Sequence, residues 1–341
     1  MSSETPRPEV MSLADDEAVV FRGADRRVFD DLEPDTHVDL DGHTVRTLPR
    51  RGQLLGRFAT VNDVHFGETE AGIIGGVETT PLSAPEGATP YPETMNRAAV
   101  AEIAQIDPVV VLAKGDLTDE GTREEYGAFL ECYGDAFGDR LVHIRGNHDS
   151  YLGQDFFPIG PFRVDVPGAR LLMIDTTVPH RAGGGLSTET LAWLDDESAG
   201  SDVPVLVFGH HHPWSPDSAK RSENYFGIDP DGSEALVEVV ANRPEIVGYF
   251  AGHTHRNRVR HFSATGDVPW VEVACVKDFP GSWAEYRVFD GGVLQIHRRI
   301  SAPAALEWSE ECRDLYRGVL DYPAYAMGDL TDRCFAIRSR S

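Results

Sequence analysis

The sequence predicts an α/β fold: a parallel sheet made by strand–helix–strand crossovers, with a second, mixed sheet packed on it. Three observations carry this reading. Residues 57–144 run strand, helix, strand, helix, strand, the order that builds a parallel sheet with right-handed connections. Val109 to Ala113 is a continuous apolar run, mostly β-branched, as expected of a strand buried on both faces. Past residue 258 the chain is strand-rich, which supplies the second sheet.

The elements follow in order. Residues 1–50 read as a small N-terminal β appendage, with short strands at Val19–Phe21 and Arg27–Phe29. His37–Leu40 and His43–Thr47 flank Asp41-Gly42, a pair suited to a type I′ hairpin turn. Residues 51–300 form the main unit. Arg57–Asn62 is a strand. Glu93–Ile106 spaces Ala98, Ala99, Ile103 and Ile106 as one helical face. A helix over Thr122–Phe137 and a strand at Leu141–Ile144 complete the first crossovers. Strands are then expected at Phe162–Val166, Leu171–Asp175, Val203–Phe208 and Ile246–Phe250, with helices at Ser187–Glu197 and Ser233–Ala241. Arg258–Phe262, Trp270–Val273, Trp283–Phe289 and Val293–Arg298 read as the strands of the second sheet. Residues 301–341 form a C-terminal extension with a helix over Ala305–Val319. Phe66 to Pro92, rich in Gly, Pro and Thr, is a long loop next to the first motif below and is expected to cap a substrate.

Composition sets the class. The chain has 341 residues, 41% hydrophobic and 26% charged, values of a globular protein with a substantial core. No run reaches the roughly 18 apolar residues of a membrane span. Met1–Val10 is polar and has no apolar core of a signal peptide, so the expected location is cytoplasmic. Cys132, Cys275, Cys312 and Cys334 are scattered and read as reduced thiols, with a Cys312–Cys334 pair left open. A net charge of -25 repels a phosphate backbone and disfavours nucleic acid as a partner.

Five separated motifs carry the chemistry: Asp63-Val64-His65, Gly115-Asp116, Gly146-Asn147-His148-Asp149, His210-His211-His212 and Gly252-His253-Thr254-His255. Each follows a strand-like run, a rigid place from which a loop can face a cleft. Singly, each has an ordinary reading: a polar turn, a strand end, an Asx-capped turn, a surface patch. In this order and context they supply the ligands of two metal ions. Hydrolysing a phosphate ester requires an activated water and neutralised phosphoryl oxygens. Two ions about 3.5–4 Å apart provide both. A pair that close needs a bridging carboxylate, and Asp116, at the end of the central strand, fits that place. Asp63 and His65 should project to one side, since alternate strand residues share a face. His253 and His255 should do the same. Mixed carboxylate and imidazole donors suit manganese, iron or zinc, and no thiolate takes part.

On these motifs the chain resembles the calcineurin-like metallophosphoesterases, in particular their class III cyclic-nucleotide phosphodiesterase group. The likeness covers about residues 55–290. It includes Asn96-Arg97-Ala98, Glu124-Glu125-Tyr126, and Gly185-Leu186 with Leu191-Ala192-Trp193-Leu194. The resemblance implies a four-layer αββα sandwich. It implies that Asp63, His65, Asp116 and His255 hold one metal, and Asp116, Asn147, His211 and His253 the other. It places His148 outside the metal shell, near the leaving group, with Asp149 orienting it. At the fourth motif, strand alternation leaves His210 and His211 both open, and alignment on Pro213 gives His211.

The expected function is a dinuclear phosphoesterase acting on a small phosphomonoester or phosphodiester, cyclic nucleotides included, through a metal-bridging hydroxide. The alternative is a metal-binding scaffold on the same fold that has lost catalysis. The partner expected is a small phosphorylated substrate, with no membrane, and a homodimer is left open. His180 and Arg181 read as a plain loop, with contact to substrate as the alternative. His37, His43, His143, His261 and His297 read as structural or solvated.

Overall fold

The computed structural model describes residues 7–75, 77–222 and 224–338. Strands β1 (Glu9–Leu13), β2 (Ala18–Arg22) and β3 (Asp25–Phe29) form an antiparallel sheet. The hairpin β4 (His37–Leu40) and β5 (His43–Arg46) turns at Asp41 and Gly42, whose φ values of 54° and 91° are those of a type I′ turn. β1 falls where the sequence reading placed no strand. Its residues lie against the main unit: the Ser12 hydroxyl donates to the His297 carbonyl (2.5 Å), and the Leu13 amide donates to the Cys334 sulfur (3.3 Å).

Two six-stranded sheets follow. The first contains β6 (Leu54–Val61), β7 (Val111–Lys114) and β8 (Leu141–Ile144), parallel to one another as the crossover pattern requires. The second contains β9 (Phe162–Val166), β10 (Ala169–Met173), β11 (Val205–Phe208), β12 (Ile246–Ala251), β13 (Arg258–Arg260) and β14 (Trp270–Glu272), in the order β13-β14-β12-β11-β10-β9. Contrary to the sequence reading, the later hairpin β15 (Ser282–Phe289) and β16 (Gly292–Arg299) does not extend this sheet. It returns to the first, where β15 pairs antiparallel with β6, and β17 (Phe335–Ile337) closes the edge in the order β17-β16-β15-β6-β7-β8. Burial explains this: all eight residues of β15 are buried, the pattern of a central strand covered on both faces.

Three apolar layers hold the sandwich. Phe58, Leu112, Leu171, Phe208, Phe250 and Tyr286 pack between the sheets. Helices Tyr91–Gln105 and Pro303–Glu311 cover the outer face of the first sheet through Met95, Ile103 and Trp308. Helices Thr188–Ser198 and Pro230–Asn242 cover the second through Leu194, Leu236 and Val240. The result is the αββα arrangement. The helix expected from residue 122 runs on to Phe137, through a π-helical turn at Leu130–Gly134. One expected helix is shorter than the periodicity indicated. The C-terminal one stops at Glu311, because Tyr316 (φ 58°) and Gly318 (φ 85°) turn left-handed and reverse the chain. The four cysteines are buried free thiols, and Cys312 and Cys334 are not joined.

Buried charges lock the N-terminal strands to the first sheet. On β15, Arg287 reaches Asp15 (2.6 Å), Asp16 (2.6 Å), Glu17 (2.6 Å) and Glu285 (2.9 Å). Burial opposes the Glu285 charge, but Arg298 and Arg287 outweigh it and hold its pKa at about 2. The stabilisation from Glu285 is therefore complete above its ordinary 4.5 and is lost as pH falls toward 2. Arg287→Met is expected to lower urea-unfolding stability by about 3–5 kcal/mol at pH 7, because it strands buried carboxylates. It should also flatten the loss of stability between pH 4.5 and 2. A cost under about 1 kcal/mol would show that this network contributes no more than a surface pair.

Candidate metal centre

The five motifs meet at one end of the sandwich, in loops that follow β6, β7, β8, β11 and β12. Each ligand lies past its strand's last residue, so strand alternation is not what aims them. Left-handed backbone aims five of them. Among the described residues eleven non-glycine positions have positive φ, and five are Asp63 (52°), His65 (45°), Asp116 (49°), His253 (69°) and His255 (53°). Such conformations cost of order 1–3 kcal/mol for an L-residue and persist where surrounding structure enforces them. Glycine is needed where the loops converge: a Cβ on Gly146 would lie 2.2 Å from the Asp116 amide nitrogen and carboxylate.

Asp63 and Asp116 are both buried at the centre. The Asp63 carboxylate accepts from the His253 amide (3.0 Å) and the Asn62 side chain (2.5 Å), which ties the first motif to the last. One Asp116 oxygen accepts from the His148 amide (3.0 Å). The other lies 3.6 Å from His65 Nε2 and 3.4 Å from His210 Nε2, so one carboxylate oxygen is shared by imidazoles from two directions. Burial raises the pKa of both carboxyls, but neighbouring histidines, His255 for Asp63 and His210 for Asp116, bring both below the usual range. Two groups of possible donor atoms, Asp63–His65–His255 and Asp63–Asp116–His210, each lie within 4.8 Å of one another. Beneath them Lys114 is wholly buried and donates to the Ala251 carbonyl (2.9 Å), and burial draws its pKa down to about 7.

At the fourth motif, His210 rather than His211 faces Asp116 and Asn147. His210 presents Nε2 to Asn147 Oδ1 (3.0 Å) and Asp116, while its Nδ1 faces the Lys114 carbonyl (2.9 Å). His211 bonds outward, Nδ1 meeting Thr176 Oγ1 (2.8 Å) and Nε2 the Ala182 carbonyl (3.1 Å), although it also forms a possible donor group with His210 and His253. The reason is the strand end. β11 stops at Phe208, and one glycine later the first histidine points inward. The Asn147 amide donates to the Tyr151 hydroxyl (2.7 Å), which leaves its oxygen for the centre. His253 Nε2 is engaged by the Phe226 carbonyl (3.0 Å), which leaves Nδ1 as its lone-pair nitrogen.

The supporting residue for His148 also differs from the expectation. Asp149 accepts from the Leu117, Thr118 and Gly146 amides and the Thr118 hydroxyl. Its two oxygens are consumed in holding the Asp116 and Asn147 loops together. His148 Nδ1 instead bonds the Asp119 carbonyl (2.6 Å), with the Asp119 carboxylate 3.6 Å away. Burial, then the charge of Glu68, raises the Asp119 pKa to about 6. The sequence signal for Asp119 was present: an acid three residues after Asp116, in the same loop.

The residues fit bound metal. Both ring nitrogens of His65 are buried with no hydrogen-bond partner, although a buried unsatisfied polar group costs about 1–3 kcal/mol. Two buried carboxylates, a carboxamide oxygen and imidazole nitrogens around it form a donor set for transition metals. A cavity of about 390 Å³ opens over these residues. It is lined by Ile73 and Ile74 of the long loop expected to cap a substrate, and by Phe226 and by Tyr316, Leu320 and Tyr325 of the C-terminal segment, which sequence reasoning had not placed here. The cavity also contains Lys277, whose ammonium bonds Glu68 at 2.5 Å. His180 bonds the Tyr151 carbonyl (2.8 Å) and His143 the Tyr126 hydroxyl (2.8 Å). No helix among the described residues is long and apolar enough to cross a membrane.

A glycerophosphodiester phosphodiesterase GpdQ of Enterobacter lignolyticus is 31% identical over 161 residues, 43% of this chain and 56% of the relative. A probable cyclic nucleotide phosphodiesterase of Synechococcus is 27% identical over 204 residues, 58% of this chain and 72% of the relative. The chain thus spans little more than half the length of the first. A dimetal phosphatase from Danio rerio shares the fold with a TM-score of 0.51 at 17% identity, covering 73% of this chain and 98% of that one. The family model for calcineurin-like phosphoesterases matches residues 56–257, more than half of the sequence and all five motifs, and the chain belongs to that family.

Proposed function

We propose that this protein is a dinuclear metal-dependent phosphodiesterase acting on a small diester that carries an apolar or aromatic ester group. The observation that carries the reading is the shared Asp116 oxygen, 3.6 Å from His65 and 3.4 Å from His210. A carboxylate placed between two imidazoles is the arrangement a bridged pair requires. In this reading Asp63, His65, Asp116 and His255 hold one ion, and Asp116, Asn147, His210 and His253 the other. Manganese, iron or zinc bound there supplies Lewis acidity, acidifying water and neutralising phosphoryl oxygens.

The protein's own residues do the rest. His148 lines the cavity, and its Nδ1–H is fixed by the Asp119 carbonyl, so that in the imidazolium form its Nε2–H can pass a proton to the departing alkoxide and leave the ring neutral. The side chains favour a diester. A monoester brings a second negative charge near neutral pH. Lys277, the one lysine or arginine among the described lining residues, is already paired with Glu68, so beyond the metal ions no free side-chain cation meets that second charge. The mouth is apolar: Ile73 is 61% and Phe226 54% exposed, with Leu320 beside them. Exposed apolar groups at a binding mouth fit an organic group better than water. Four free buried thiols accord with a reducing, cytoplasmic setting.

Three outcomes are expected. With manganese, bis(p-nitrophenyl) phosphate should be hydrolysed with at least about tenfold higher kcat/KM than p-nitrophenyl phosphate, and a preference for the monoester would contradict the charge argument. His210→Ala should weaken one metal by more than the roughly 10- to 100-fold that loss of a supporting residue costs, and His211→Ala by no more than that. The reverse order in a calorimetric titration would restore His211 as the ligand. His148→Ala should keep both metals and lose about 10²- to 10⁴-fold in rate on an alkyl ester, but much less on a nitrophenyl ester. Equal losses on both would assign His148 to phosphate binding instead.

A further inference from the structure

The C-terminal segment lies beyond the family match, which ends at residue 257, yet it returns to the metal centre. Its contact runs through Asp278, a wholly buried carboxylate. Asp278 Oδ1 accepts from the Tyr322 hydroxyl (2.5 Å) and the Cys275 thiol (2.9 Å). Oδ2 has no hydrogen-bond partner and lies 3.4 Å from His255 Nδ1. On the far side of that ring, Nε2 is 3.5 Å from Asp63. The line Tyr322–Asp278–His255–Asp63 therefore ends at the centre.

We propose that Asp278 and Tyr322 are positioning residues for the metal centre, so that the C-terminal segment is a working part of it. The inference rests on the dinuclear reading above. A histidine that ligates a metal through one nitrogen needs its other N–H held, most often by a carboxylate, which fixes the tautomer and the ring plane. Asp278 Oδ2 is placed to do this for His255 and has no other partner. Oδ1 is consumed by Tyr322 and Cys275, so the carboxylate cannot rotate without losing both bonds. Helix Tyr322–Met327 also clamps the loop itself. The Tyr325 hydroxyl donates to the Thr254 carbonyl (3.1 Å), between the two histidines, and the Asn257 amide donates to the Ala326 carbonyl (2.9 Å). His255 sits in left-handed backbone at φ 53°, a conformation that such restraints maintain.

The test is a calorimetric titration of metal-free full-length protein with manganese, comparing wild type, Asp278→Asn and Tyr322→Phe. Thermal unfolding of each metal-free form is measured alongside. Asp278→Asn should weaken one of the two binding events by about 10- to 100-fold and leave the other within about twofold. Tyr322→Phe, which removes only a hydroxyl, should weaken the same event by a smaller factor. Tyr322→Phe also keeps the proposal testable if Asp278→Asn does not fold. Wild-type affinity for both ions in the variants, with only the unfolding temperature lowered, would overturn the proposal and leave Asp278 a structural acid. Failure of the wild type to bind two ions would instead sink the dinuclear reading on which it rests.

Discussion

The fold is organised around burying two carboxylates, Asp63 and Asp116, in the seam where the two sheets meet. A buried ionised acid is tolerated only when paired and hydrogen-bonded. Here the pairing comes from other strands' loops: His255 and His210 for charge, the His253 and His148 amides for hydrogen bonds. The first sheet supplies Asp63, His65, Asp116 and Asn147, and the second supplies His210, His253 and His255. Neither sheet holds a complete donor set. The apolar layer between them, from Phe58 to Phe250, therefore sets the site's geometry as well as the protein's stability.

This constraint also accounts for the strain. A ligand on an extended strand would point alternately toward and away from the cleft. A left-handed residue just past the strand turns its side chain inward and sends the chain away. Placing aspartate and histidine in that conformation at five positions has a free-energy cost, which packing between the sheets offsets. The peripheral segments share the work. The charged cluster on Arg287 fastens the N-terminal strands behind the first sheet, and the reversal at Tyr316 and Gly318 carries the C-terminal tyrosines to the cavity.

Much of this was legible in the sequence. Continuous apolar runs marked the parallel strands, and five motifs after such runs marked the centre. What escaped reading has physical causes. The β15–β16 hairpin has the same local pattern in either sheet, and only its burial on both faces assigns it to the first. His210 and His211 are chemically identical neighbours, so the end of β11 at Phe208, visible only in three dimensions, determines which ring turns inward. Asp149 looked like the partner of His148 because it is adjacent, but adjacency does not reveal the four donors that occupy it. Asp278 and Tyr322 carry no motif at all. Their place follows from the returning chain.

The most direct test of the account is a crystal structure of the manganese-loaded protein with anomalous data collected at the manganese edge. The account predicts two peaks about 3.5–4 Å apart, with Asp116 between them and His210 Nε2 on one of them. A single peak, or a second ion held by His211 with His210 turned away, would contradict it.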